Sequence, residues 1–206
     1  RILKNLTNAK FPKKINDFNE YPIFMKENLL LCYSLLRKMH YKKKIIINKL
    51  KEIQLNNGRY EVIISSPYKI IIDYAHLPES YEAILNNNER KIVVFGCGGN
   101  RSIEKRSKIG YIVEKYAYYA IITSDNSRNE DFNEITKQIS KYMINYEIIK
   151  NRKEAINKAL SLIKENESLY IMGKGDEKYI EENDILIPFN DKDYILNELH
   201  LRNNKK

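Results

Sequence analysis

Four short runs constrain the fold of this chain more than anything else in it: KIIID at 69–73, KIVVF at 91–95, YAIIT at 119–123 and LYIM at 169–172. Each is rich in β-branched and aromatic residues, and none alternates apolar with polar as a strand with one wet face would. Strands that are apolar throughout must be covered on both faces, which is the situation of a parallel sheet flanked by helices. The intervening segments have helical spacing. Helices are expected at 102–116, 131–144 and 153–164, the last with Ala155, Ile156, Ala159, Leu160 and Ile163 on one face. Shorter strands are expected at 60–64, 147–149 and 185–187, and a final helix near 191–201. The expectation is an α/β domain from about residue 58 to the end, built on a mostly parallel sheet with helices on both faces.

The front of the chain has a different texture. Residues 1–20, with Pro12, read as loop or a broken-off edge. At 26–39 Leu29, Leu30, Cys32, Tyr33, Leu36 and Met39 recur at three and four, a helix with one buried face. A second helix is expected at 44–54 through Ile46, Ile47, Leu50 and Ile53, stopped by Asn56-Asn57-Gly58.

Charge excludes less than it first suggests. Lys and Arg number 36 against 27 Asp and Glu, a formal +9, but residues 1–60 alone hold 14 against 4 and the remainder 22 against 23. Ile, Lys, Asn and Tyr, all with A/T-rich codons, make up 98 of 206 residues, so the lysines reflect base composition rather than a polyanionic partner. No nucleic-acid partner is expected. Apolar runs fall well short of a bilayer span and no signal peptide is visible, so no membrane association is expected either. Two cysteines, Cys32 and Cys97, exclude a disulfide framework and point to a reducing, cytoplasmic compartment.

The candidate chemistry lies in the loops after the apolar strands, where open parallel sheets bind ligands. Gly96-Cys97-Gly98-Gly99-Asn100-Arg101 lets a ligand approach the backbone, and Arg101 offers a fork of donors to a carboxylate or phosphate. A dinucleotide fingerprint would need glycine where Arg101 stands. Asp125-Asn126-Ser127-Arg128 sets an amide and a guanidinium at a strand end, and reads equally as a solvated turn. Gly173-Lys174-Gly175-Asp176-Glu177 lacks the spacing and the Ser/Thr of a phosphate loop. Asp73-Tyr74-Ala75-His76 pairs a carboxylate with an imidazole, and Arg59 stands in a hinge-like Gly58-Arg59-Tyr60-Glu61. Singly, each of these is also an ordinary turn or helix entry.

Taken in order, GRYEV, IIDYAHLPES, VVFGCGGNR…KR (ending at Lys105-Arg106), TSDNSR and GKGDE resemble the carboxyl-terminal part of the Mur ligases, and within them the members that add a diamino acid as the third residue of the peptidoglycan stem peptide. The resemblance implies that residues 58–206 are the Rossmann-like, amino-acid-binding domain and residues 1–57 the tail of the central, ATP-binding domain. It also implies an ATP-dependent amide ligase in cytoplasmic cell-wall precursor synthesis, adding meso-diaminopimelate to UDP-N-acetylmuramoyl-L-alanyl-D-glutamate. Small-molecule partners follow from it: ATP, the diamino acid and the UDP-sugar dipeptide. Carried over, Arg59, Asp73 and His76 bind ATP, Asp73 at the ribose and His76 near the phosphates. Arg101, Asp125, Asn126, Ser127, Arg128, Gly173 and Glu177 form the amino-acid pocket. Arg128 grips a side-chain carboxylate that lysine lacks, and Glu177 pairs with an ammonium.

Three departures from the family pattern qualify the substrate. Ser127 replaces the usual proline, Asp176 replaces the usual histidine, and both keep L-lysine or L-ornithine open. No phosphate loop and no metal-binding lysine setting are present, so Mg2+ would be held by missing central and amino-terminal domains. The chain is therefore expected to be a fragment, a split gene product or a decayed one, without turnover alone. A non-catalytic Rossmann-like binding module remains the competing class.

Overall fold

The structure is a computed structural model that describes residues 22–52 and 58–204. The loop expected over 1–20, Ile53 and the Asn56-Asn57 turn lie outside the described residues. The chain divides into two compact units, Arg1–Gln54 and Leu55–Lys206.

The first unit pairs α1 (Ile23–Lys38) with α2 (Lys43–Lys51). Ile46 and Leu50 pack against Leu29, Leu30, Tyr33 and Leu36, as the periodicity requires. Cys32 and Met39 depart from the expected buried face and are exposed. A nine-residue partner covers only a narrow stripe of α1, and Met39 lies past the last helical residue, where His40 turns the chain with φ 65°.

The second unit begins with β1 (Glu61–Ile64), β2 (Lys69–Asp73), α3 (Pro78–Leu85), β3 (Lys91–Phe95), α4 (Ile103–Tyr116), β4 (Tyr119–Ile122) and α5 (Phe132–Ile139). It continues through β5 (Tyr146–Ile148), α6 (Arg152–Leu162), β6 (Ser168–Met172), β7 (Tyr179–Glu182), β8 (Ile185–Pro188) and α7 (Asp191–Asn203). The main sheet has the order β1-β2-β6-β3-β4-β5, parallel except for β1, which runs antiparallel to β2 at one edge. The expected α/β architecture, a mostly parallel sheet with helices on both faces, is what forms. Strand β6, last of the sheet in sequence, enters between β2 and β3, so that Tyr170 pairs with Ile71 on one side and Val93 on the other.

Period-two alternation along these strands feeds two apolar layers. Ile70, Ile72, Ile92, Val94, Ile121, Leu169 and Ile171 share a core with Ala155, Ile156, Ala159 and Leu160 of α6 and Ile195 of α7. The opposite face, with Val93, Phe95 and Ile122, belongs to the layer of α3, α4 and α5, which pack in that order; Tyr81 of α3 meets Phe95 edge-on at 6.0 Å. Helix starts follow local chemistry. Pro78 opens α3, where a missing N–H costs nothing. Asp131, Asn151 and Asn190 cap α5, α6 and α7 by accepting from backbone N–H groups at 2.6, 3.0 and 3.0 Å.

Two elements differ from their sequence reading. The helix expected to reach 144 is α-helical only to Ile139 and tightens into a 3-10 turn over Ser140–Tyr142. The backbone N–H groups of Ile144 and Asn145 donate instead to the Glu114 carboxylate at 3.0 and 3.2 Å, which directs the chain into β5. The strand at 185–187 is half of a hairpin, β7 with β8, turned through Asn183 and Asp184 at φ 50° and 60°. Asparagine and aspartate tolerate that geometry, which matches the strand twist. Among the described residues, no helix is long and apolar enough to cross a membrane.

Candidate functional site

Because β2, β6, β3 and β4 are parallel neighbours, the loops that follow them gather at one end of the sheet. They enclose a cavity of about 350 Å³ lined by Tyr74, His76, Gly96, Cys97, Gly98, Arg101, Asp125, Asn126, Arg128 and Gly173, among others. Strand order thus brings residues 76, 101, 128 and 173 to one place.

Two buried arginines hold the loops in position. Arg152, at the start of α6, forms a bidentate pair with Asp191 (2.7 and 2.8 Å), both side chains without solvent exposure. Its remaining donors reach the carbonyls of Ser124 and Met172, each at 3.2 Å. The ends of β4 and β6, two strands that do not touch, are tied through one guanidinium. Arg106 of α4 donates to the Gly98 carbonyl at 3.0 Å, to Gln138 at 2.7 Å and to both oxygens of Glu130, at 2.5 and 2.7 Å. Glu130 also accepts from the Asn100 N–H at 2.9 Å, so Arg106 and Glu130 together brace the glycine loop. The Arg106 hydrogen bond, foremost, keeps the Glu130 carboxyl below its ordinary range.

The glycine loop touches the Asp125–Arg128 loop so closely that side chains are excluded. Gly99 N–H donates to the Asn126 carbonyl at 2.8 Å, and a Cβ on Gly99 would lie 1.8 Å from the Ser127 carbonyl oxygen. Gly173 adopts φ 106°, and a Cβ there would meet the Asp125 carboxylate at 2.9 Å. Ser127 is buried, and its N–H donates to the Asp125 carbonyl at 3.1 Å. A proline could not make that bond, so serine tightens the turn in its own way.

Arg128 has φ 52° and is held on several sides. Its Nη1 donates to the carbonyls of Gly99 (2.8 Å) and Asn126 (3.4 Å), and its Nε faces Glu181 at 3.2 Å. Among the described residues, Nη2 has no hydrogen-bond partner. The backbone of Arg128 pairs with the β7–β8 hairpin: its N–H donates to the Glu181 carbonyl and its own carbonyl accepts from Asn183. Arg101 is exposed at the cavity mouth. Glu177 accepts at Oε2 from Asn126 Nδ2 and from Lys174 Nζ, both at 2.8 Å, which leaves Oε1 without a partner among the described residues.

His76 lines this cavity, and Asp73 and Arg59 adjoin it. Both Asp73 oxygens accept backbone N–H groups, from Tyr60 and Ala75, each at 2.6 Å. Burial pushes the Asp73 carboxyl up, against the pull of those two bonds and of Arg59. The carboxylate therefore pins the 58–61 loop, whatever else it meets. The Arg59 guanidinium lies 5.2 Å over the Tyr74 ring, whose other neighbour is the exposed His76 at 5.2 Å, edge-on. Arg59 and the two rings thus form a cationic, aromatic edge. Half-buried Cys97 lines the cavity as a thiol, pushed up to about 12 by burial and by Asp125.

Of the residues expected from the sequence, His76, Arg101, Asp125, Asn126, Arg128 and Gly173 line one cavity. Glu177 joins it through Asn126, Ser127 lies behind the loop, and Arg59 and Asp73 adjoin it across Tyr74 and the 58–61 turn. Sequence reading assigned no role to Lys174, Arg106 or Arg152, all buried. The only signals were a lysine between two glycines and arginines early in otherwise amphipathic helices. Among the described residues, no group of three or more His, Cys, Asp or Glu side chains could hold a metal ion.

Residues 58–175 match the family described as Mur ligase, glutamate ligase domain. The UDP-N-acetylmuramoyl-L-alanyl-D-glutamate--2,6-diaminopimelate ligase of Chlamydia abortus is 37% identical over 163 residues, 75% of this chain and 34% of the relative. That of Clostridium perfringens is 37% identical over 195 residues, 88% of this chain and 39% of the relative. A solved structure of a ligase with the same name superposes with a TM-score of 0.68 at 26% identity, over 88% of this chain and 39% of that one. The chain thus spans 34% and 39% of the length of the two curated relatives it is compared with.

Proposed function

The chain belongs to the Mur ligase family, and from that premise we propose that it supplies the amino-acid-binding part of an ATP-dependent ligase that adds meso-diaminopimelate to UDP-N-acetylmuramoyl-L-alanyl-D-glutamate. The reaction would belong to cytoplasmic peptidoglycan precursor synthesis. On this reading residues 58–206 are the carboxyl-terminal domain and residues 1–57 the end of a central ATP-binding domain.

One observation carries the reading. Arg128, which lines the cavity, is seated by the Gly99 and Asn126 carbonyls and by Glu181, while among the described residues its Nη2 and the Oε1 of Glu177 have no hydrogen-bond partner. A diamino diacid presents carboxylates for Arg128 and Arg101, and an ammonium for Glu177. Lysine and ornithine lack the side-chain carboxylate. An Arg–carboxylate contact that one substrate makes and another cannot is worth a few kcal/mol, about a hundredfold in selectivity.

In the reaction the substrate carboxylate is activated as an acyl phosphate by ATP. The amine nitrogen of the diamino acid attacks the acyl carbon, the C–N bond forms, phosphate leaves and the amine gives up a proton. The part of this chain is to hold that amine in line and to compensate its charge. Arg59 and His76, on either side of Tyr74, would face the nucleotide phosphates, and Asp73 its ribose. Those side chains fit an anionic nucleotide. The described residues hold no group of three or more His, Cys, Asp or Glu side chains that could cage magnesium.

Calorimetric titration of the chain with meso-diaminopimelate, L-lysine and L-ornithine tests the proposal. Selective binding of diaminopimelate is expected. Preference for lysine or ornithine overturns the substrate, and no heat with any of the three at millimolar concentration overturns the amino-acid-binding role.

A further inference from the structure

We propose that Lys174 is a positioning residue that fixes the Asn126 amide and the Glu177 carboxylate in the one arrangement able to receive the ammonium of the ligand; this rests on the reading of the cavity as a diamino-acid pocket.

Lys174 has no solvent exposure. A lysine ammonium carries three donors and no acceptor, so away from water it must be surrounded by acceptors. Its neighbours are Glu177 Oε2 at 2.8 Å, Asn126 Oδ1 at 3.0 Å and Asp125 Oδ1 at 3.7 Å. Asn126 Oδ1 receives a second donor, the Glu181 N–H, at 3.0 Å. Neither donor can accept a hydrogen bond, so the amide nitrogen has to point the other way, toward Glu177 Oε2 at 2.8 Å. A flipped amide would set its NH2 against an ammonium and a backbone N–H and would lose all three bonds.

The consequences run on to the carboxylate. With Lys174 Nζ and Asn126 Nδ2 both on Oε2, only Oε1 of Glu177 is left to a ligand among the described residues. The formal charges of Asp125, Glu177 and Lys174 sum to minus one, which a single ligand ammonium neutralises. Without Lys174 the group would carry minus two, and Asn126 Oδ1 would keep a single donor, the Glu181 N–H. Gly173, whose φ of 106° turns the chain at the end of β6, directs the following lysine beneath the pocket.

The test uses the whole chain and meso-diaminopimelate. Lys174→Met is expected to weaken binding by about 30-fold or more, and Lys174→Gln, which keeps a donor for Asn126 Oδ1, by about 10-fold. In an Asn126→Ala background only the contact to Glu177 is left to be positioned, and Lys174→Met should cost clearly less than in the wild type, about tenfold or less further. A purely structural lysine would instead lower thermal stability and leave affinity unchanged, or cost the same in both backgrounds; either result overturns the proposal. Lys174→Gln carries the experiment if Lys174→Met does not fold.

A second measurement needs no ligand. The Asn126 side-chain amide should give a resolved, slowly exchanging pair of ¹⁵N-correlated signals in the wild-type chain and an averaged or shifted pair in Lys174→Gln. Unchanged signals in that variant overturn the positioning role even if the pocket binds diaminopimelate. A wild-type chain that binds no diamino acid overturns the functional reading, and the amide signals then decide the positioning of Asn126 by themselves.

Discussion

Replacing Arg152 by methionine removes one half of an ion pair whose two side chains are both without solvent exposure. The attraction between such partners only offsets the cost of burying them, but removing one leaves the other charged and unpaired. That loss is about 3–5 kcal/mol for a buried pair. Here Asp191 would lose two bonds, at 2.7 and 2.8 Å, and the carbonyls of Ser124 and Met172 would each lose a donor. For a unit of this size each kcal/mol lowers Tm by about 2–4 °C, so Arg152→Met should melt about 6–20 °C below the wild type. Urea unfolding and calorimetry measure it. Arg152→Met combined with Asp191→Leu leaves no orphan charge and should be more stable than Arg152→Met alone. Both variants should bind diaminopimelate less tightly, because Ser124 and Met172 immediately precede Asp125 and Gly173. A single variant within about 1 kcal/mol of wild type, or a double variant less stable than the single, would refute the reasoning.

Other consequences can be checked in parallel. Arg128→Ala should weaken diaminopimelate binding about a hundredfold and lysine binding far less, by calorimetry; equal losses would remove Arg128 from the carboxylate site. Gly99→Ala would press a methyl group into the Ser127 carbonyl, 1.8 Å away, and should destabilise the unit by about 2–4 kcal/mol or displace the Asp125–Arg128 loop; wild-type stability together with wild-type binding would contradict the contact. Glu130 titrates below its ordinary range, so its contribution to stability is complete above the unfolded value of about 4.3 and is lost as pH falls through the depressed one. Glu130→Gln should accordingly lose less stability than the wild type between about pH 5 and pH 3, measured by urea midpoints. An identical acid response would show that the Arg106 bond is not felt in the folded state.

The parts that were legible in the sequence are those set by one dominant local term. KIVVF can only be a strand covered on both faces, and β3 is buried along its whole length. The loops after such strands had to share one end of the sheet, and the cavity is there. Other features depend on partners distant in the chain. Nothing local says that LYIM slips between KIIID and KIVVF. The β7 segment, YIEE, has two carboxylates and reads as polar, although the following Asn183-Asp184 pair was a usable turn signal. Lys174, Arg106 and Arg152 look like surface residues because a single sequence does not reveal the acceptors that gather round them. Ser127 stands where the family pattern has proline, and the bond from its N–H to the Asp125 carbonyl belongs to the folded turn, not to the sequence. The buried face of α1 was overestimated at Cys32 and Met39, since periodicity tells which side is apolar but not how wide a partner covers it.

The late entry of β6 bears on how the molecule is made. Synthesis from the amino terminus delivers β2, β3, β4 and β5 to the ribosome exit first, with β2 and β3 lacking the strand that joins them. That strand begins at Ser168, roughly four-fifths of the way along 206 residues, and carries Lys174 and Glu177 just behind it. A nascent chain shorter than this holds two pieces of sheet with bare inner edges, the kind of surface that recruits chaperones or proteases. Closure of the sheet is therefore a late event, and the pocket, whose Glu177, Glu181 and Asp191 all follow β6, is completed only after it.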